Sequence, residues 1–307
     1  MLSINVVFTQ ILVILLYVLI GFVAGRCGLI KSDQRKYLTR LFTDLILPFT
    51  ILSATNQNIT RQEMAALGIA GVMMLGLYAL TTIVSLRVQR ARNTPRPMSV
   101  TTTSLITYPN CTFLGLPLCR ALFGDMAILY NAVALIAFNV LFFTWQISLF
   151  TGEGFRFRNL VTPPTLSTAL LIVMLLAGWH FPDPVQTVVS NTGAMISPLS
   201  LIIIGVMMSE NPITSILRER RAYWIVLFRN LLIPLLTMFM LKLMPFDAAS
   251  RLCMLVYIAC PSATLTSIYA IQSDMEPELA AHGVLLSTTL FALTLPTIIF
   301  VGSAFLG

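Results

Sequence analysis

The chain has 307 residues, of which 57% are hydrophobic and only 10% are charged, and its mean hydropathy is +0.87. This composition excludes an ordinary soluble domain, which carries a much larger share of charged side chains. At about 20 residues per membrane-spanning helix, the chain holds roughly ten helices joined by short loops. No segment is left for a soluble catalytic or nucleic-acid-binding domain. Basic loops account for the net charge of +7, so no nucleic-acid partner is expected.

Hydropathy predicts an all-α, multi-pass membrane protein with ten transmembrane helices. The first span is too long for the apolar region of a signal peptide and is followed by Arg26 rather than by small residues, so we expect it to be retained. Five spans fall in residues 1–151, a polar linker covers residues 152–160, and five more spans fall in residues 161–307. The predicted spans are residues 5–25, 34–55, 64–86, 98–123, 126–150, 161–178, 185–208, 222–241, 251–272 and 278–305.

The fourth and ninth spans are each interrupted near the middle by a proline, Pro109 and Pro261. Proline has no N–H and clashes with the preceding turn, so a continuous helix should fail at both positions. Lipid cannot satisfy the freed carbonyls, and each break must therefore face protein or a water-filled cavity. Two matched broken helices, about half the chain apart, are typical of a transporter whose substrate binds at the breaks.

The two halves of the chain repeat the same order of elements. Pro48 in the second span corresponds to Pro198 in the seventh, and the residues 109–112 correspond to 261–264. Because each half holds an odd number of spans, the halves have opposite orientations. This predicts an inverted five-plus-five repeat in which helices four and nine cross at the bilayer centre.

The distribution of Lys and Arg predicts the orientation, since cytoplasmic loops carry an excess of both. One face collects fourteen basic residues, the opposite face collects four, and Arg229 lies inside a span. The first face is therefore expected to be cytoplasmic. The protein is expected in the cytoplasmic (inner) membrane, with both termini on its outer side. The fourteen are Arg26, Lys31, Arg35, Lys36, Arg40, Arg87, Arg90, Arg92, Arg96, Arg156, Arg158, Arg218, Arg220 and Arg221, and the four are Arg61, Arg120, Lys242 and Arg251.

Each helix that restarts after a break exposes unpaired N–H groups and the positive end of its dipole. Two such ends that converge predict an anion site. We hypothesise that a small carboxylate binds there and that a moving domain carries it across the bilayer by an elevator motion. Side chains that can add hydrogen bonds to the anion are those of Asn110, Thr112, Ser262, Thr264 and Asn139.

Each of these residues also has a purely structural interpretation. Asn110 can simply cap the restarting helix, and the hydroxyl residues can stabilise helix ends. Asn139 can make an interhelical hydrogen bond instead of contacting substrate, and Gly115 is expected to allow close helix packing. Both alternatives stay open from the sequence.

Arg229 and Asp44 are the charges deepest in their spans. A central charge costs roughly 2.5–3.5 kcal/mol on insertion scales, so each needs a partner or a cavity. Arg229 can brace carbonyls freed by the broken helices or add positive potential to the site. Asp44 can pair with Arg40, four residues earlier on the same helix, or couple transport to an ion. No cofactor or metal is expected, and the sequence leaves proton or sodium coupling open.

Four stretches of the sequence form a recognisable set of motifs, which are CTFLGLPL (111–118), VTPPTLSTALL (161–171), CPSATLTSIYA (260–270) and GVLLSTTLFALTLP (283–296). Together they resemble the auxin efflux carrier family, which includes plant auxin carriers and bacterial permeases for malonate and other organic acids. The resemblance implies ten helices with an inverted repeat, a scaffold of helices 1, 2, 6 and 7, and a transport domain of helices 3–5 and 8–10. This chain departs from the family pattern at Thr112, where a glycine is usual, and at Pro109, which precedes Asn110.

Three rival classes are weighed against a carrier. An intramembrane hydrolase would need a nucleophile and a base, and Ser262 with His282 is the only pair to consider, without a supporting motif. A passive anion channel would also tolerate broken helices but would not account for the paired inverted halves, and a membrane receptor without transport is the third alternative. The anion, the direction of transport and the oligomeric state stay open, and a homodimer is compatible with exposed apolar scaffold helices.

Overall fold

A computed structural model describes residues 4–56, 59–154, 160–210 and 217–307, and within these ranges the chain is helical and has no β-strand. The helices alternate with short connections, as the hydropathy pattern predicts. The principal helices are α1 (Ile4–Arg26), α2 (Ser32–Asn56), α3 (Arg61–Ala91), α4 (Arg96–Thr107), α5 (Cys111–Phe123), α6 (Met126–Thr151), α7 (Pro163–Ala177), α8 (Asp183–Ser209), α9 (Arg220–Leu243), α10 (Ala248–Ala259), α11 (Thr264–Gln272) and α12 (Pro277–Leu306).

Seven of these helices, namely α1, α2, α3, α6, α8, α9 and α12, are long and apolar enough to cross a membrane. Three shorter apolar helices, α5, α7 and α10, add to them within the described ranges. The prediction of an all-helical, multi-pass membrane protein is confirmed. The pair α4 and α5 corresponds to the predicted fourth span, and the pair α10 and α11 to the ninth.

The predicted basic loop after the third span is largely helical. Helix α3 continues to Ala91, so that Arg87 and Arg90 lie in its last turns, and Arg96 is the first residue of α4. Basic side chains interact favourably with the negative end of a helix, which explains why the helix extends into this stretch. Part of the predicted linker, including Arg156 and Arg158, lies outside the described residues.

Four helices contain one π turn, at Phe42–Ile46, Cys111–Gly115, Phe142–Gln146 and Leu227–Leu232. Three of these turns end two residues before a proline, which is Pro48, Pro117 or Pro234. A proline ring clashes with the carbonyl four residues before it, and a wider turn relieves that clash. The prolines therefore position irregular backbone at the centre of the molecule.

Glycines allow helix α1 to pack closely along α8. A methyl group at Gly21 would overlap the backbone of Ile202, and one at Gly205 would overlap the backbone of Val18. Small residues at such positions let two membrane helices approach and gain van der Waals contact. The C-terminal half of α2 also packs on α8, where the Thr50 hydroxyl donates to the Gly193 carbonyl at 2.9 Å.

The helices pack in two sets. In one set, α1 packs along α8 and α2 packs on α7 and α8; in the other, α3 packs along α6, and α12 packs on α9, α10 and α11. Helix α5 touches both sets, because it contacts α1 and α8 as well as α6 and α10. Helix α5 thus lies where the two sets meet.

Candidate functional site

The two helix breaks lie against each other. The Asn110 N–H donates to the Pro261 carbonyl at 2.6 Å, and the Ala263 N–H donates to the Tyr108 carbonyl at 2.9 Å. These two bonds form a short antiparallel bridge between Pro109 and Ser262. Because each proline prevents its own helix from continuing, the freed backbone groups are satisfied by the other break.

A cavity of about 260 Å³ lies beside this bridge. Both restarting helices contribute to its wall, α5 through its first residues and α11 through Thr264, Leu265 and Ile268. The remaining wall comes from α2, α6 and the start of α7. The cavity is lined by Thr39, Thr43, Asp44, Leu47, Pro109, Asn110, Cys111, Thr112, Phe113, Leu135, Phe138, Asn139, Phe143, Thr162, Pro163, Pro164, Ala263, Thr264, Leu265 and Ile268.

Asn110 caps helix α5 and lines the cavity at the same time. Its Oδ1 accepts a hydrogen bond from the Phe113 N–H at 3.3 Å, which is the N-cap interaction. Its Nδ2 has no partner among the described residues, although the residue is only 4% exposed. A buried amide donor without a partner is costly, so it favours a ligand or water at this position.

The threonines that begin the restarting helices also lie at the cavity. Thr112 lines it close to Cys111, with 3.9 Å between the hydroxyl oxygen and the Cys111 sulfur. Thr264 is the first residue of α11, a helix without a side-chain cap at its N-terminus. The backbone N–H groups of this first turn have no intrahelical acceptor. The cavity therefore has the positive ends of two helices in its wall.

Asn139 belongs to both interpretations that the sequence left open. It lines the cavity, and its Nδ2 donates to the Thr165 hydroxyl on α7 at 2.8 Å. The Thr165 hydroxyl in turn lies 2.8 Å from that of Thr162, which caps α7. This polar chain connects α6 in one packing set to α7 in the other.

Four of the expected site residues do not line the cavity, namely Ser262, Gly115, Pro261 and Arg229. The Ser262 hydroxyl donates to the Leu105 carbonyl at 2.8 Å, and its N–H donates to the Ser287 hydroxyl at 3.1 Å. Ser262 is fully buried and does not line the cavity in this conformation, so its contact with substrate stays a prediction. Gly115 faces Cys260 and Tyr257, where a methyl group would lie 2.8 Å from the Cys260 sulfur, and it allows close packing. Pro109 lines the cavity, whereas Pro261 does not.

Arg229 does not line the cavity, and within the described ranges its hydrogen bonds go only to backbone carbonyls. Its guanidinium donates to the carbonyls of Ile106, Thr107, Ile258 and Cys260. These carbonyls belong to the ends of α4 and α10 and to the adjoining break, and they would otherwise lack donors. This is the bracing arrangement that the sequence left as one of two interpretations.

Asp44 lines the cavity and forms the local pair that its spacing allows. Arg40 Nε lies 3.2 Å from Asp44 Oδ2, and the Thr43 hydroxyl donates to Asp44 Oδ1 at 3.2 Å. The Arg40 side chain is 79% exposed and that of Asp44 is 46% exposed, so the pair lies at the surface of the protein and not in its interior. A carboxylate thus lines the same cavity as the positive ends of α5 and α11.

Sequence reasoning did not select several polar and aromatic residues of the cavity. Thr162 directly precedes the Pro163-Pro164 pair, a helix-start signal that could have indicated it. Thr39, Thr43 and Phe138 gave no comparable signal. Each is an ordinary residue of an apolar helix until tertiary packing brings that helix to the break.

The comparisons with known proteins agree with this architecture. The chain matches the family described as membrane transport protein over residues 6–159 and 155–299. It is 22% identical over 298 residues to an uncharacterized transporter of Methanothermobacter thermautotrophicus, an alignment that covers 93% of this chain and 95% of the relative. The family is one of transporters and not of enzymes, so the hydrolase interpretation of Ser262 and His282 is excluded. The chain therefore belongs to the membrane transport protein family, the auxin efflux carrier family that its motifs resemble, and is a multi-pass membrane protein.

Proposed function

We propose that the protein is a secondary carrier that moves a small organic anion, most simply a carboxylate, across the cytoplasmic membrane. One observation carries the proposal: the unpartnered Asn110 amide and the N-termini of α5 and α11 line the same cavity. Backbone N–H groups and helix dipoles at such ends favour negative charge. Among the described residues of the wall, Asp44 is the only charged one, and it is paired with Arg40.

The remaining wall supports an anion with an apolar body. Phe113, Phe138 and Phe143 face the cavity together with Leu135 and Ile268. The volume of about 260 Å³ is just below the roughly 300–1,000 Å³ of typical small-molecule pockets. A small monocarboxylate with a hydrocarbon or aromatic portion would place its carboxylate at the helix N-termini and its apolar portion against these apolar side chains.

The proposed architecture is a ten-helix inverted repeat with α4–α5 crossing α10–α11. In this proposal α1, α2, α7 and α8 form the scaffold, and the other helices form a transport domain that moves as an elevator. The two packing sets support the division, because the same helices group together. The cavity lies between the sets, as a site carried by one against the other requires.

The proposed orientation follows the basic residues and has both termini outside. Thr39 and Thr43 lie close in sequence to the basic stretch that contains Lys31, Arg35 and Lys36, and Thr162 follows the predicted cytoplasmic linker. The cavity would then lie on the cytoplasmic side of the bridge. We assign this conformation to the inward-facing state of the carrier.

The test uses purified protein in two assays. A thermal-shift screen against mono- and dicarboxylates first identifies a ligand, and uptake of that ligand is then measured in proteoliposomes. A carrier gives saturable uptake that unlabelled ligand inhibits, whereas a channel gives uptake that does not saturate and a receptor gives binding without uptake. Asn110→Ala should abolish saturable uptake with normal expression. Full uptake by that variant would refute the site.

Thr60→Ala is the matched control for this experiment. Thr60 also caps a helix, since its hydroxyl accepts from the Glu63 N–H at 3.2 Å, but it does not line the cavity. Each substitution removes one N-cap, at a cost of about 1 kcal/mol. Loss of uptake only in the Asn110 variant therefore reports the cavity and not helix stability.

A further inference from the structure

Arg229 is the only charged residue that is buried among the residues that the structure describes, and it is 1% exposed. It lies in the π turn of α9, nine residues after the helix begins at Arg220. A guanidinium keeps its proton in proteins, so a full positive charge is held there. No carboxylate within the described ranges forms an ion pair with it.

The counter-charge comes from the backbone of both interrupted helices. Arg229 Nη1 donates to Ile106 and Thr107 at 3.0 and 2.9 Å, Nε donates to Cys260 at 3.0 Å, and Nη2 donates to Ile258. The carbonyl end of a helix carries roughly half a negative charge. Two such ends, those of α4 and α10, therefore offset about one positive charge.

The same arithmetic applies on the other side of the bridge. The N-termini of α5 and α11 together carry about one positive charge at the cavity. Without Arg229, the negative ends of α4 and α10 would lie a few residues away and would cancel much of that potential. With Arg229 in place, the negative ends are neutralised and the positive ends stay available to an anion.

Carbonyl ends of broken helices are the places where transporters coordinate a coupling cation. Here the carbonyls are already bonded to a side chain of the protein. We infer that Arg229 is a resident cation that replaces a mobile coupling ion at the break, so that anion binding by this carrier does not depend on sodium. The inference rests on the proposed function and assigns Arg229 as a positioning residue, which acts on the anion through the helix ends.

The first test measures the melting temperature of the purified protein and needs no substrate. Wild-type protein should melt at the same temperature in equal concentrations of sodium, potassium and choline chloride. Arg229→Ala should melt at a lower temperature than wild type. Methylguanidinium can replace the missing guanidinium group, so it should raise the melting temperature of this variant at a concentration that does not stabilise wild type. Stabilisation of wild type by sodium alone would overturn the inference, as would an Arg229→Ala variant that methylguanidinium leaves unchanged.

The second test measures affinity for benzoate, an aromatic monocarboxylate, by calorimetry in sodium and in choline buffers. Affinity of wild type should be equal in both. Arg229→Gln should bind at least about tenfold more weakly, and Arg229→Lys, which keeps the charge, should recover most of the loss. Arg120→Gln is the control, since Arg120 pairs with Asp125 at the surface. Wild-type affinity that depends on sodium would contradict the assignment. An Arg229→Lys variant that binds benzoate as weakly as Arg229→Gln would also contradict it.

The two tests separate this inference from the proposed function. If benzoate and other carboxylates fail to bind while the methylguanidinium rescue is observed, the proposed substrate class is wrong and the resident cation stands. If carboxylates bind but only with sodium, the proposed function stands and the resident cation is wrong.

Discussion

Asn110→Asp is the substitution that most directly separates the capping role of this residue from its role in anion binding. The two side chains have the same shape, and Asp and Asn are equally good N-caps. The Phe113 N–H can therefore keep its acceptor, which lies at 3.3 Å in the wild-type protein. The new carboxylate also lies at the positive end of α5, where a negative charge is favourable. We expect the melting temperature to change little.

The affinity for the anion, in contrast to the melting temperature, should fall strongly. The substitution removes the unpartnered Nδ2 donor, and a hydrogen bond to a charged group is worth about 1.5–3 kcal/mol. It also places a negative charge in the wall, and two like charges about 4 Å apart repel by roughly 4 kcal/mol at an effective dielectric of 20. The sum of about 5.5–7 kcal/mol predicts a loss of about ten-thousandfold or more in affinity.

The assay is calorimetric titration with the best carboxylate from the thermal-shift screen, on wild type, Asn110→Ala and Asn110→Asp. Affinity should fall in that order, whereas stability should be lowest in the Ala variant, which loses the cap. Asp247→Asn is the matched control: Asp247 caps α10 through the Ser250 N–H at 2.9 Å and does not line the cavity. An Asn110→Asp variant that binds within a few-fold of wild type would refute an anion at this position.

Two further predictions concern the packing between helices and the rim of the cavity. Gly205→Leu should destabilise the protein by about 1–3 kcal/mol, because the new side chain overpacks against Val18 and Phe22 on α1. The measurement is the melting temperature, which should fall. Gly68→Ala is the control and should not lower the melting temperature, because a methyl group at Gly68 meets no atom within 4 Å. Asp44→Asn should lower the KM for anion uptake, since a negative charge leaves the wall of the cavity. An unchanged pH dependence of uptake in this variant would remove proton coupling through Asp44, and a raised KM would contradict the electrostatic argument.

The positions of the two breaks could be predicted because their cause is local. A proline in the middle of an apolar span removes an N–H and clashes with its own helix, whatever surrounds it. Pro109 and Pro261 therefore indicated the interruptions, and Asn110 was recognised as the residue that caps the restart. The resemblance of the motifs to a transporter family, confirmed by the family match, rests on the same local stretches.

The partners of each polar group could not be predicted, because they come from distant parts of the chain. Ser262 has the same position in its break as Asn110 has in the other, yet Leu105 and Ser287 bind its polar groups and turn it from the cavity. Arg229 was equally ambiguous until four carbonyls from α4, α10 and the adjoining break enclosed it.

For this protein, hydrophobicity and proline chemistry alone determine that the chain is a multi-pass membrane protein with two interrupted helices. Both are properties of short segments and need no knowledge of their neighbours. Only the tertiary structure decides which ends of those helices face the cavity and which are neutralised by Arg229. The reason is physical: a helix end has a charge that is independent of its neighbours, but the sign of the potential at a site is the sum over every end and side chain that packing brings there.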